Sequence, residues 1–262
     1  MKSFKKFKKQ FQKYKTLIWH LAKTDLKLRY HGSVLGYAWT ILEPLLLFAV
    51  IYTVFSNFRG FRTEYFALQL ITAIILFTFF VQGSTSNITC LKKNTNLLTN
   101  LYIPHWVFIV ASSIYNFFVF SLNIFVLFFF FAFKPYVPSL ISIGYFSIYI
   151  FAIFVIILTI GFFLAPLYIK FRDIGSIWKV ITRALFYATP VIWTLSIIPI
   201  QYHKIILMNP LAFVIHFTKV GLIGNHNPSF QQLALFLGIV FIFFGISIFT
   251  YNKTDKKIVE SL

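Results

Sequence analysis

The side chains of this chain that could do chemistry sit in three short blocks. The first, Leu21-Ala-Lys-Thr-Asp-Leu-Lys-Leu-Arg-Tyr30, gathers Lys23, Asp25, Lys27, Arg29 and Tyr30. The second is Lys170-Phe171-Arg172-Asp173-Ile174, followed by Lys179 and Arg183. The third is a lone carboxylate, Glu43, beside Pro44 in an otherwise apolar stretch. Cations at this density attract phosphates, acidic headgroups or an acidic protein face, but bond-making chemistry needs more than they supply. No Gly-rich loop ending in Lys-Ser/Thr is present to cradle nucleotide phosphates, so the chain has no ATPase site of its own. The acids Asp25, Glu43, Glu64, Asp173, Asp255 and Glu260 are too dispersed to hold a metal on a sugar diphosphate. The histidines His20, His31, His105, His203, His216 and His226 fall in different segments and form no His-Glu-x-x-His. No catalytic residue and no metal ligand is expected. Asp25 and Arg29 are spaced for an i,i+4 pair on a helix, yet an exposed pair of that kind contributes only about 0.3–0.5 kcal/mol. The density of charge therefore points to a partner protein or to lipid headgroups, and both readings stand.

These residues must be positioned by apolar elements. The chain has 262 residues, 59% of them hydrophobic and 11% charged, which makes lipid its main solvent. The pattern predicts an all-α integral membrane protein with six transmembrane helices, at about 33–56, 65–88, 106–133, 140–168, 177–193 and 230–250. Pro190 interrupts the fifth. Between it and the last, Pro199, Pro210, Gly224 and Pro228 cut the apolar runs below spanning length. Irregular backbone at membrane depth survives only against protein or a wet cavity, so this stretch, about 191–228, reads as a re-entrant hairpin. Ahead of the spans, Phe4, Phe7, Phe11, Tyr14 and Ile18 form a helical stripe opposite Lys5, Lys6, Lys8, Lys9 and Lys13. This predicts an uncleaved amphipathic helix in the membrane surface, the alternative being a lysine-rich orientation signal. A short amphipathic helix follows the second span, with Leu91, Leu98 and Leu101 apolar and Lys92, Lys93, Asn96 and Asn100 polar. The organisation is a cytoplasmic interface segment, 1–32, a transmembrane domain, 33–250, and a cytoplasmic tail, 251–262.

Of the 24 lysines and arginines, 19 lie in 1–30, 90–105, 169–183 and 251–262, on alternate connections, while Arg59, Arg62, Lys134, Lys204 and Lys219 fall in the connections that an even number of crossings places outside. The positive-inside rule then places both termini in the cytoplasm. The net charge of +18 is gathered beside the spans, where membrane lipids attract it, and nucleic acid is not an expected partner. Cys90 is the only thiol, so no internal disulfide forms. Gly32 and Gly36 have the small-x-x-x-small spacing of closely packed helices, or they form a turn into the first span. Tyr37, Trp39, Tyr115, Tyr187 and Trp193 combine a ring with a polar handle, which suits both a sugar pathway and an interfacial belt.

The first block continues as His31-Gly-Ser-Val-Leu-Gly-Tyr-Ala-Trp-Thr-Ile-Leu-Glu-Pro-Leu45. Together with Phe171-Arg-Asp-Ile174 and Asn209-Pro210, it resembles the permease subunits of ABC exporters for bacterial surface polysaccharides: O-antigen, capsule and teichoic acid. The block is similar to that family's signature at the start of the first span, and Phe171–Ile174 to its elbow after the fourth. Thr24 stands where the family usually has arginine, and His31 where a second basic residue often follows the tyrosine. Glu43 stands where asparagine often precedes the proline, so the resemblance gives no support to a proton relay there. The resemblance implies a transport subunit of the bacterial cytoplasmic (inner) membrane that moves a polyprenyl-diphosphate-linked polysaccharide. It binds no cofactor itself; ATP and Mg belong to a partner. Six helices enclose too little space for a hydrated glycan, so a homodimer with the pathway between protomers is expected, driven by two copies of a cytoplasmic ABC ATPase subunit. The expected ATPase-facing residues are Lys23, Asp25, Arg29, Tyr30, Lys92, Lys93, Leu97, Asn100, Arg172 and Asp173. The expected pathway residues are Tyr37, Trp39, Glu43, Tyr115, Lys179, Arg183, Tyr187 and Trp193. The rivals are an exporter of the same architecture for a small hydrophobic drug or lipid, a membrane enzyme acting on polyprenyl-linked sugars, and a passive channel or scaffold.

Overall fold

The computed structural model describes residues 2–29, 32, 35–56, 65–100, 103–132, 137–224 and 226–258, with side chains from 12 to 254. A chain this apolar has no water to satisfy its backbone, so regular structure forms as helices that close their own hydrogen bonds. In order they are α1 (Lys2–Arg29), α2 (Ala38–Phe55), α3 (Phe66–Lys93), α4 (Thr95–Asn100), α5 (Trp106–Ala132), α6 (Leu140–Lys170), α7 (Asp173–Ala188), α8 (His203–Leu207), α9 (Pro210–Gly224) and α10 (Phe230–Ile258). Five of them, α2, α3, α5, α6 and α10, are long and apolar enough to cross a bilayer, and the chain is a multi-pass all-α membrane protein.

The bundle is built round α3, whose most apolar window is 72% buried, against 17% for α2. Small and polar side chains let its neighbours come close. A Cβ at Gly83 would lie 2.7 Å from Ile157, and one at Gly161 2.9 Å from Asn87 and from Ile109. Asn87 Nδ2 donates to Ser113 Oγ (2.7 Å) and to the Ile157 carbonyl (3.2 Å). Ser112 Oγ donates to Ser86 Oγ at 3.1 Å. Lipid tails give no hydrophobic drive for helix association, and contacts of this kind supply it instead.

The expected amphipathic helix is α1, but it is seated on protein. Ile18 is buried against Val107 and Ala111 of α5, and Ala22 against Tyr115 and Val119. Gly32 and Gly36 both take positive φ, 81° and 46°, outside any helix. They form the turn between α1 and α2, and the close-packing alternative is set aside. The short helix after the second span is α4, set off from α3 by a break at Asn94.

The predicted fifth crossing differs most from the structure. Helix α7 starts at Asp173 and stops at Ala188. Its 16 residues span about 24 Å at ~1.5 Å per residue, short of the ~30 Å hydrocarbon core. Thr189 is extended, and Pro190 has no N–H with which to continue the ladder. The break lies at membrane depth, because Phe186 packs on Phe77 in the middle third of α3. Two 3₁₀ turns, Leu195–Ile197 and Ile200–Tyr202, then lead into α8 and α9. The segment Ile200–Leu207 and α9 are bent by 116°, a broken or re-entrant unit where the sequence predicted a hairpin.

Lys219 of α9 satisfies this break. Its ammonium donates to the carbonyls of Pro190 (2.9 Å), Val191 (3.2 Å) and Trp193 (3.0 Å), using all three donors. The side chain is 3% exposed. Counting it among the outward-facing cations of a connection is thus corrected: the charge is buried because the carbonyls beyond α7 need a donor that lipid cannot provide. Lys219→Met keeps the stem and removes the donors. It should lower stability by at least about 3 kcal/mol, the cost of leaving several buried acceptors unpaired, read as a clear fall in Tm of the detergent-solubilised protein. An unchanged Tm would show that the carbonyls do not depend on Lys219.

Candidate functional site

Round α3 the packing order is α2, α5, α6, α7, each packed on the next, with α9 against α3 and α6; among the described residues no substantial contact joins α7 to α2. The open arc between α7 and α2 exposes one stripe of α3. It carries Thr78, Gln82, Thr85 and Thr89, at steps of four, three and four, all half-buried in an otherwise largely buried helix. Glu43 reaches the stripe from α2, its Oε2 accepting from Gln82 Nε2 at 3.0 Å. On the other side α7 is anchored by Trp178, whose Nε1 donates to Ser84 Oγ at 3.1 Å. The edge of α7 beside the stripe repeats the same spacing with Arg172, Ser176, Lys179 and Arg183.

The two stripes converge at the Lys93 end of α3. There a cavity of about 130 Å³ is lined by Thr85, Thr89, Tyr168, Arg172, Ser176 and Lys179, among others. Gly175 lets Tyr168 lie over the first turn of α7, since a Cβ there would come within 2.9 Å of the tyrosine ring. Two cations, four hydroxyls and a helix N-terminus suit an anionic oxygen cluster such as a phosphate. Beyond the cavity, the hydroxyls and amide of α3 are groups suited to hydrogen bonding with a hydrated, hydroxyl-rich solute. A purely apolar solute has no use for them. Glu43 is exposed on the surface of the single chain, and a carboxylate at this depth faces protein or a wet cavity rather than lipid.

The other predicted site residues are placed as follows. Asp25 does not pair with Arg29; it accepts from Lys93 Nζ at 2.6 Å, and Arg29 Nη1 donates to Tyr115 Oη at 2.7 Å. The helix-internal pair is thereby corrected, because α1 lies on the bundle and both side chains reach across to other helices. Tyr115 is 6% exposed beneath α1, away from the α3 stripe, with its hydroxyl taken by Arg29. Lys23, Lys92, Leu97 and Asn100 are exposed near the same end of the bundle. Arg172 joins Lys179 in the cavity, and Asp173 is exposed beside it. Tyr37 and Trp39 are exposed at the start of α2. Tyr187 is exposed on α7, and its carbonyl accepts from Trp193 Nε1 at 3.0 Å across the helix break. Tyr30 lies outside the described residues. Sequence reasoning missed Thr78, Gln82, Thr85, Thr89, Tyr168 and Ser176. The four-three-four spacing inside the second span was the available signal. Among the described residues no group of three metal-ligating side chains converges.

The family model described as ABC-2 type transporter matches residues 16–222. The chain is 26% identical over 251 residues to the O-antigen export system permease protein RfbA of Klebsiella pneumoniae, covering 92% of this chain and 93% of that protein. It is 22% identical over 268 residues to a protein of the same name from Myxococcus xanthus, covering 97% and 98%. It is 21% identical over 268 residues to the polysialic acid transport protein KpsM of Escherichia coli, covering 96% and 98%.

The track predicts a pattern of water access. In a Cys90→Ser background, cysteines placed at Thr78 and Thr85 should react with a water-soluble maleimide in native membranes, because the reaction needs a hydrated thiolate. A cysteine at Phe243, 59% exposed on the apolar surface of α10, should not. Equal labelling at all three positions would remove the distinction between track and lipid-facing surface.

Proposed function

The chain belongs to the ABC-2 type transporter family, and on that premise we propose that it is the permease subunit of an ATP-driven exporter for a polyprenyl-diphosphate-linked surface polysaccharide. The observation that carries this reading is the polar track along α3 with the basic cavity at one end. That arrangement suits a cargo with an anionic head and a long hydroxyl-rich body, and the relatives are named for O-antigen export and polysialic acid transport.

In this reading the protein sits in the cytoplasmic membrane with the Lys93 end inside, where Lys92, Lys93, Lys170, Arg172 and α1 gather. Both termini are then cytoplasmic, α7 and the broken unit after it together making the fifth of six crossings. The diphosphate enters from the inner leaflet and is held by Arg172 and Lys179, with the hydroxyls of Thr85, Thr89, Tyr168 and Ser176 round it. The glycan follows along Thr78, Gln82 and Glu43 toward Tyr187 and Trp193. One bundle cannot enclose that path, so the working unit is a homodimer with the open arcs facing each other. Two copies of a separate ABC ATPase bind ATP and Mg and contact the exposed Lys23, Lys92, Leu97 and Asn100. The Asp25–Lys93 and Arg29–Tyr115 contacts make α1 continuous with α3 and α5, so a push on α1 moves the helix that carries the track. An exporter of small hydrophobic compounds would gain nothing from that stripe. An enzyme on lipid-linked sugars would need clustered acids, and among the described residues none converge.

Replacing Arg172 and Lys179 together by glutamine removes the charge from the cavity. Export of the polysaccharide should fall about tenfold or more, in line with the loss of at least one charged hydrogen bond, while lipid-linked glycan accumulates inside the cell. Unchanged surface polysaccharide would overturn the assignment of the cavity. Loss of efflux of a small lipophile, with the glycan unaffected, would favour the alternative cargo.

A further inference from the structure

The open face of the chain leaves a charge problem that no described residue solves. Glu43 is exposed at membrane depth, and the Gln82 amide that donates to it is neutral. Arg183 is exposed on α7, and among the described residues no carboxylate pairs with it. Both residues stand beside apolar surface: Val50 of α2 is 63% exposed and Val180 of α7 65%. Lipid covers the valines well but leaves the two charges unpaired. A partner of this face must therefore be apolar with one charge of each sign, at a fixed depth.

Helix α3 serves as the ruler of that depth. Trp178 touches Ser84 and Phe186 touches Phe77, so Arg183, between them on α7, lies level with the 77–84 interval of α3. Glu43 touches Gln82, inside the same interval. Lys179 lines the cavity with Arg172, about one turn nearer the Lys93 end, which leaves Arg183 as the cation of α7 beyond the cavity. Two copies inserted with the same orientation can meet through like faces only about a two-fold axis along the membrane normal. Such an axis brings one lip of the arc, α2, opposite the other lip, α7, of the second copy. The face is then complementary to itself.

We propose that a second copy of the chain covers this face, with Glu43 of each protomer paired to Arg183 of the other. This deepens the homodimer reading given above and rests on it. The two symmetry-related pairs close the lips of the arc against lipid and leave the α3 stripes facing each other across the enclosed space.

The test uses full-length protein carrying Cys90→Ser. Two differently tagged copies are co-expressed, one with Glu43→Cys and the other with Arg183→Cys, and treated in membranes with a short bismaleimide. The expected product is a covalent dimer containing both tags, several-fold more abundant than any same-tag product. In a second arm, Glu43→Arg and Arg183→Glu are each expected to shift the native mass of the purified protein toward monomer, and the two together to restore the dimer. A native dimer with no mixed crosslink and no restoration by the charge swap would overturn the pairing and leave the homodimer standing. A monomeric native mass for the unmodified protein would overturn both.

Discussion

A polar group inside a bilayer must find its partner in the protein or in enclosed water. Helix α3 carries polar groups on two sides. On the inner side Ser84 Oγ accepts from Trp178, and Asn87 Nδ2 donates to Ser113 and to the Ile157 carbonyl, and these bonds join α3 to α7, α5 and α6. On the outer side Gln82 meets Glu43, and Thr85 and Thr89 line the cavity with Tyr168 and the edge of α7. The same helix is therefore the packing centre of the bundle and, in the proposed function, one wall of the path.

The irregular region obeys the same constraint by different means. Pro190 ends α7 within the membrane, which strands carbonyls that lipid cannot satisfy. A lysine brought in from α9 meets three of them at once. Burial of that ammonium is costly in itself, and its full set of donors in use is what makes it tolerable. The helix break, its Tyr187–Trp193 brace and α9 are thus one unit packed against the far end of α3. At the near end, α1 is held to the bundle by ring contacts such as Tyr14 with Trp106 and by the reach of Arg29 and Asp25 to other helices. Both ends are therefore joined to α3 by packed side chains rather than by loops alone.

Much of this was legible in the residues. Long apolar runs locate α2, α3, α5, α6 and α10, because a bilayer needs about 20 apolar residues per crossing. Lysine and phenylalanine at helical spacing locate α1, and the prolines locate the broken region. The misreadings share a physical origin. Asp25 was matched with Arg29 because local spacing is visible in a sequence and the approach of Lys93 is not. Lys219 was counted with the loops because a charge normally marks the edge of a span. Hydropathy averaged over a whole span cannot show a stripe of four polar side chains, so the α3 track emerged only once its neighbours were seen to leave that side open.

The central claim is that the outer stripe of α3 is a hydrated wall along which the cargo moves. Its most direct test is to make that wall apolar without touching the cavity, by Thr78→Val and Gln82→Leu in one chain, and to measure the rate at which polysaccharide reaches the cell surface. The account predicts a severe loss of export with the protein still inserted and still bound to its ATPase partner. Export at the normal rate through an apolar stripe would contradict it.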